Sequence, residues 1–114
     1  MPDVSAERVA RNNATFRESN ERIAAAAEKY GLRDVLPFIC ECVDASCTTI
    51  IRLTPAAYEK VRSNPRHFVT VPGHEQDADQ FIRVVEETPG YVVVEKVGEA
   101  GEIATALDPR GGHG

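Results

Sequence analysis

The chain has 114 residues, a formal net charge of −5 and 42% hydrophobic residues, which suits one small domain with a modest core. The acidic balance argues against general nucleic-acid binding, because that binding needs a basic surface to displace counterions. No apolar run approaches the roughly 20 residues that span a bilayer, and no signal peptide is recognisable. We therefore expect a cytoplasmic protein with one domain over residues 1–110 and a flexible tail at 111–114.

The first predicted element is a long helix over residues 5–30, with Ser5 as its N-cap and Gly31 as its stop. Four apolar residues recur every seven positions and form a narrow stripe: Val9, Phe16, Ile23 and Tyr30. Polar residues fall where a broader apolar face would continue: Asn12, Asn13, Ser19 and Asn20. This pattern predicts a helix that crosses a small sheet with its other sides in water. It leaves open a helix that docks on a protein partner or on a second copy of the chain.

Two β-branched or apolar runs follow the helix and predict a first hairpin. Residues 38–42 form the first strand and residues 48–53 the second. Asp44 and Ser46 supply a turn between them. All three cysteines of the chain lie in or beside this turn.

A second helix begins at Thr54, a good N-cap, with Pro55 at the first helical position, and it ends at residues 64–65. The next predicted strand covers residues 67–71 and leads into a tight Gly73-His74 turn. An acidic loop at residues 75–79 separates this turn from the last third of the chain.

A second hairpin is predicted from residue 81 to residue 97, with strands at 81–87 and 91–97 around a Pro-Gly turn. The later strand is the most apolar and should be central in its sheet. A short helix over residues 98–107 completes the domain. The pattern predicts an α+β fold, with the long N-terminal helix on a small, mostly antiparallel sheet of four or five strands and two shorter helices. It leaves open whether the strands form two separate hairpins or one mixed sheet.

The cysteine spacing predicts a metal site, most simply zinc. Cys40 and Cys42 are two apart and share one face of a strand. The following turn can return Cys47 to the same point. Zinc takes four ligands in a tetrahedron, and three cysteines with one histidine are a common structural set.

We expect a histidine as the fourth ligand. His74 is the best candidate, because a ligand on a rigid Pro-Gly turn loses little entropy when it is ordered. His67 is the rival, although it lies at the edge of an apolar strand, and His113 in the Gly-rich tail is the least favoured. The same thiols could instead be redox-active or simply buried. The odd cysteine count argues against a disulfide framework.

The chain resembles a family of small uncharacterised bacterial proteins. The resemblance covers most of the chain and lies in these residues: Arg11-Asn12, Phe16-Arg17-Glu18, Asn20-Glu21-Arg22-Ile23, Phe38-Ile39-Cys40-Glu41-Cys42, Cys47, Leu53-Thr54, Tyr58-Glu59, Val61-Arg62, Pro65, Phe68, Val71-Pro72-Gly73-His74-Glu75, Tyr91-Val92-Val93-Val94-Glu95-Lys96 and Asp108-Pro109-Arg110. It implies that Cys40, Cys42, Cys47 and His74 belong to one pattern. It implies no activity.

These observations favour a structural zinc site in an interaction or regulatory module over an enzyme. A zinc-dependent hydrolase would need an open metal position, with Glu41 or Glu75 as the general base, and both read more simply as solvated carboxylates. The zinc-deaminase, His-Glu-x-x-His, Walker and Gly-x-Ser-x-Gly motifs are absent from the sequence. A thiol-based redox sensor is the third alternative, in which oxidation of the cysteines releases the metal.

Overall fold

The computed structural model describes residues 6–42, 47–74, 82–108 and 110, and only the backbone of residues 6–13. Several predicted features lie outside these residues: the Ser5 cap, the turn at 43–46, the loop at 75–79, Phe81 and the tail with His113. Within the described ranges, no helix combines the length and apolar character needed to cross a membrane.

The α+β class and the predicted order of helices and strands are confirmed. The elements in chain order are α1 (Ala6–Tyr30), β1 (Leu36–Ile39), β2 (Ile50–Leu53), α2 (Pro55–Arg62), β3 (His67–Thr70), β4 (Ile82–Glu87), β5 (Val92–Lys96) and α3 (Gly98–Ala106). Helix α2 begins as its sequence predicts, because the Thr54 hydroxyl accepts a hydrogen bond from the Ala57 N–H at 3.1 Å and Pro55 follows directly.

The expectation of one sheet of four or five strands is wrong. The five strands form two antiparallel sheets, a β1-β2 ribbon and a three-stranded sheet in the order β3-β5-β4. Strand β5 is central in its sheet, as its apolar run predicts, and the β4-β5 pairing has a bulge between Val84 and Glu86.

The edges of β1 and β3 that no strand of the described residues covers form hydrogen bonds with Asn20 and Glu41. The Asn20 side chain of α1 accepts from the Ile39 N–H at 2.7 Å and donates to the Ile39 carbonyl at 2.8 Å, as a neighbouring strand would. On β3, the Val69 N–H donates to the Glu41 carboxylate at 3.1 Å, and the Val69 carbonyl accepts from the Glu41 N–H at 2.8 Å. These long-range partners were not visible in the local pattern.

Strands β3 and β5 are covered on both faces. Phe68, Val92 and Val94 pack with Ala104 of α3 on one face. Val69 and Val93 alternate to the opposite face and join the larger core cluster, which also contains the three cysteines. The cysteines therefore lie inside the main core and are held there by apolar packing.

Over residues 14–30, where side chains are described, the predicted apolar stripe of α1 is not the buried face, and Val9 lies outside these residues. Phe16 and Ile23 are only half-buried and Tyr30 is 67% exposed. The buried positions are instead Arg17, Asn20, Ala24 and Ala27. Helix α1 meets strand edges and backbone carbonyls, so its buried face needs donors. Arg17, for example, donates to the carbonyls of Pro65, at 2.8 Å, and His67.

Candidate metal centre

The segment that carries Cys40 and Cys42 lies beyond the end of β1. The predicted strand 38–42 is therefore too long, since β1 ends at Ile39. The Cys40 N–H still donates to the Thr49 carbonyl at 2.9 Å, but the next N–H, of Glu41, turns to the Val69 carbonyl of β3. This change of partner carries the two cysteines from the ribbon to the edge of the second sheet.

The turn at residues 71–74 places His74 as the sequence predicts. The His74 N–H donates to the Val71 carbonyl at 2.9 Å, and Gly73 has a φ of +99°. A proline at the second position and a glycine with positive φ at the third are the residues that a type II turn requires. A side chain at Gly73 would strain this turn and displace the histidine.

The four predicted ligands converge on one point. The Sγ atoms of Cys40, Cys42 and Cys47 and a ring nitrogen of His74 all lie within 4.8 Å of one another. His74 Nδ1 is 3.5 Å from the Cys40 sulfur and 3.6 Å from the Cys47 sulfur. In a tetrahedral zinc complex the bonds are about 2.3 Å to sulfur and about 2.0–2.1 Å to nitrogen. The nitrogen ligand then lies about 3.6 Å from each sulfur ligand. The donor spacing therefore suits a small tetrahedral cation.

The surroundings of the three sulfurs differ. Cys40 is fully buried, Cys42 is 2% exposed and Cys47 is 8% exposed, while His74 is half-buried. All three cysteines are free. Their apolar neighbours in the core include Phe38, whose ring stacks on that of Tyr58 at 4.5 Å between centroids. Such a shell excludes water from a metal site and strengthens its electrostatics.

The ionisation of the thiols follows these surroundings. Burial raises the pKa of Cys40, although a hydrogen bond from the Val71 N–H at 3.3 Å opposes this rise. Burial would also raise the pKa of Cys47, but hydrogen bonds from the backbone and hydroxyl of Thr49 and from the neighbouring thiols outweigh it and lower the pKa to about 7. Clustered thiols resist joint ionisation, and a divalent cation would favour the thiolate form of all three by releasing their protons.

Glu41 is not the solvated carboxylate that the sequence suggested. Its side chain is fully buried. It accepts hydrogen bonds from Asn20 at 2.9 Å, Tyr58 at 3.1 Å and the Val69 N–H at 3.1 Å. Both carboxylate oxygens are therefore engaged by protein donors, and neither is placed as the free general base that a hydrolase would need. The other general-base candidate, Glu75, lies outside the described residues.

The rival ligand His67 lies away from the cluster. Its Nε2 is 3.5 Å from the Glu95 carboxylate on the neighbouring strand β5. The remaining candidate, His113, lies outside the described residues. Of the described histidines, His74 is the one grouped with the cysteines.

Sequence reasoning missed Asn20 and Tyr58, the two side chains that hold Glu41. One signal for Asn20 was present, because it occupies a helix position where an apolar residue would otherwise continue the buried face. For Tyr58 the helical spacing indicated burial next to Val61, but nothing local indicated a carboxylate partner 17 residues away in the chain.

Comparisons with protein-family models, curated proteins and solved structures found no match to this chain. The function is therefore argued from the arrangement of its own residues.

Proposed function

We propose that the chain is a small zinc-binding protein in which Cys40, Cys42, Cys47 and His74 hold one structural zinc ion. The convergence of the four donor atoms within 4.8 Å carries this proposal. Three thiolates and one imidazole would complete the tetrahedral set that zinc prefers, with no position left for a reactive water. The ion would join the end of β1, the start of β2 and the turn after β3.

A role as an interaction or regulatory module in the cytoplasm fits this site better than catalysis. Of the two general-base candidates, Glu41 is the one that the structure describes, and it is already engaged by three donors. The partner we propose is another protein or a second copy of the chain, contacted through α1. The apolar stripe residues of that helix support this, since Tyr30 is 67% exposed and Ile23 is half-buried.

Native mass spectrometry of protein purified under reducing conditions tests the metal site. We expect one zinc ion per chain in the wild type, and loss or weakening of binding in Cys40→Ser, Cys42→Ser, Cys47→Ser and His74→Ala. His67→Ala is the matched control, because His67 pairs with Glu95 instead of joining the cluster. Folded, metal-free wild-type protein would refute the zinc proposal. Zinc that persists in His74→Ala but is lost in the cysteine variants would indicate a three-cysteine site with an open position, as the hydrolase alternative requires.

A redox role is the second candidate, favoured by the exposure of Cys47. It is the least buried of three free thiols whose sulfurs lie close together. A peroxide would oxidise the Cys47 thiolate to a sulfenic acid, and attack by a neighbouring thiol would form a disulfide and release water. Zinc release from the wild type on peroxide treatment, reversed by a reducing agent and accompanied by a disulfide that includes Cys47 in peptide mass spectra, would support this role.

A further inference from the structure

A continuous chain of hydrogen bonds connects helix α1 with the cysteine-bearing segment. It starts at Asn20, which is fully buried in the middle of α1. The Asn20 amide pairs with both backbone groups of Ile39, at 2.7 and 2.8 Å, and also donates to the Glu41 carboxylate at 2.9 Å. A single side chain of α1 thus fixes the residues immediately before and after Cys40.

Glu41 extends this chain to β3 and α2. Its backbone N–H and its carboxylate both bond to Val69, and the Tyr58 hydroxyl donates to the carboxylate at 3.1 Å. The Glu41 backbone lies between Cys40 and Cys42. The hydrogen bonds that hold Glu41 therefore restrict the directions from which two of the four proposed ligands reach the metal.

The remaining ligands are fixed by separate contacts. Cys47 lies 3.5 Å from the Thr49 hydroxyl, and His74 is held by the Val71 turn. Helix α1 acts through the Ile39 and Glu41 contacts on Cys40 and Cys42. If α1 left its place, the cysteine-bearing segment would lose the Asn20 bonds on either side of Cys40, while its backbone bonds to Thr49 and Val69 and the His74 turn would remain.

We infer that docking of helix α1 and occupation of the metal site are thermodynamically coupled through Asn20 and Glu41, so that each favours the other. The inference rests on the proposed metal site and describes its regulation. A partner that displaces α1 would lower metal affinity, and loss of the metal would loosen α1 to the same extent in free energy, because coupling between two sites is reciprocal. Asn20 and Glu41 are positioning residues here, since neither is among the four ligands.

Zinc affinity of the full chain, measured by chelator competition under reducing conditions, tests this coupling. We expect Asn20→Ala to bind zinc about 10–100-fold more weakly, the usual cost of removing a group that orients metal ligands. Glu18→Ala is the matched control on the same helix, because its side chain is exposed and pairs only with the exposed Arg22 among the described residues. Its zinc affinity should equal that of the wild type.

Tyr58→Phe covers the case in which Asn20→Ala does not fold. It removes one donor to Glu41 and leaves the aromatic ring that stacks on Phe38. We expect a smaller but measurable loss of zinc affinity. The reciprocal readout is hydrogen exchange at the α1 amides, which chelation of the zinc should accelerate more in the wild type than in Tyr58→Phe.

The outcomes separate this inference from the proposed function. Wild-type protein that binds one zinc, with Asn20→Ala and Tyr58→Phe both within about two-fold of its affinity, would refute the coupling and leave the metal site standing. Exchange at α1 that chelation accelerates equally in the wild type and Tyr58→Phe, or not at all, would refute it as well. Wild-type protein that binds no zinc would overturn both.

Discussion

Two polar clusters hold distant parts of this chain together, and they differ in whether they contain a positively charged side chain. The cysteine cluster joins the ends of β1, β2 and β3 through four electron-pair donors. The second cluster joins α1, α2 and the C-terminal segment through Glu21, Glu59, Arg62, Asp108 and Arg110. The ionic cluster contains both signs of charge and is complete within the chain. The cysteine cluster has no arginine or lysine among the described residues, and an added cation would complete it.

Helix α2 connects the two clusters. Its Tyr58 donates to Glu41 beside the cysteines. Four residues later, Arg62 donates to Glu21 at 2.6 Å and forms an ion pair with Asp108. The comparison predicts that metal removal damages one end of the core, whereas changes to Arg62 damage the other.

The largest expected effect is that of metal removal. A structural zinc ion contributes on the order of 10–16 kcal/mol in zinc-finger peptides, which is as large as the whole stability of a typical domain. We expect a strong chelator under reducing conditions to abolish cooperative thermal unfolding, followed by circular dichroism. Cys42→Ser should resemble the chelated wild type and be insensitive to chelator. An unchanged melting curve after the metal is removed would contradict this expectation.

The next effect is that of Arg62→Ala. The Arg62 side chain is fully buried, and its removal leaves Asp108, 4% exposed, without its cationic partner. Loss of one member of a buried pair costs about 3–5 kcal/mol, which denaturant titration would detect. Metal content should remain that of the wild type. Arg22→Ala is the control, since its pair with Glu18 is exposed and is worth at most about 0.5 kcal/mol. Equal effects of the two changes would show that the buried cluster adds no stability.

A smaller effect concerns pH. Hydrogen bonds from Arg110 lower the pKa of Glu59 from its ordinary value of 4.5. Burial would raise the pKa of Glu21, but hydrogen bonds from Arg110 and Arg62 outweigh it and lower that pKa as well. Because both pKa values are lower in the folded state, the ionic cluster contributes fully above about pH 4.5 and loses its contribution as the pH falls.

Zinc binding would also depend on pH, because protons compete with the metal for the thiols. A comparison of the wild type with Arg110→Ala cancels this shared dependence and leaves that of the ionic cluster. We expect the stability difference between wild type and variant to be largest near neutral pH and to shrink below about pH 4.5. Urea titrations of both proteins at several pH values measure it. A difference that stays constant from pH 7 to pH 3 would show that Arg110 does not stabilise these carboxylates.

The smallest effect tests the connecting helix. Thr54→Ala removes the N-cap of α2 and should cost about 1 kcal/mol, measured by denaturant titration. Thr54→Ser keeps the hydroxyl and should cost less. A loss as large as that of Arg62→Ala would mean that Thr54 has a role beyond capping.

The sequence predicted the elements well where the signals were local. The β-branched runs, the Thr54-Pro55 start of α2 and the Gly73-His74 turn each depend on neighbouring residues. The cysteine spacing and the turn also favoured His74 over His67. Those predictions needed no knowledge of the tertiary contacts.

The buried polar residues could not be predicted, because their partners are distant in the chain. Arg17 finds its carbonyl partners 48 and 50 residues away, and Asn20 finds Ile39 after 19 residues. A polar residue in a helix is read as exposed unless its distant partner is known, so the buried face of α1 was assigned to its apolar stripe. The choice between two hairpins and one mixed sheet depends on the same contacts, so the sequence pattern left it open.

By pairing with Ile39, Asn20 covers part of the β1 edge, which matters in a concentrated solution. An exposed strand edge recruits strands from other molecules, and natural proteins cover such edges. Here the cover is one amide on a helix. A chain whose α1 is displaced, truncated or mutated at Asn20 would present the backbone of β1 to its neighbours. We therefore expect damage to this helix to appear first as aggregation.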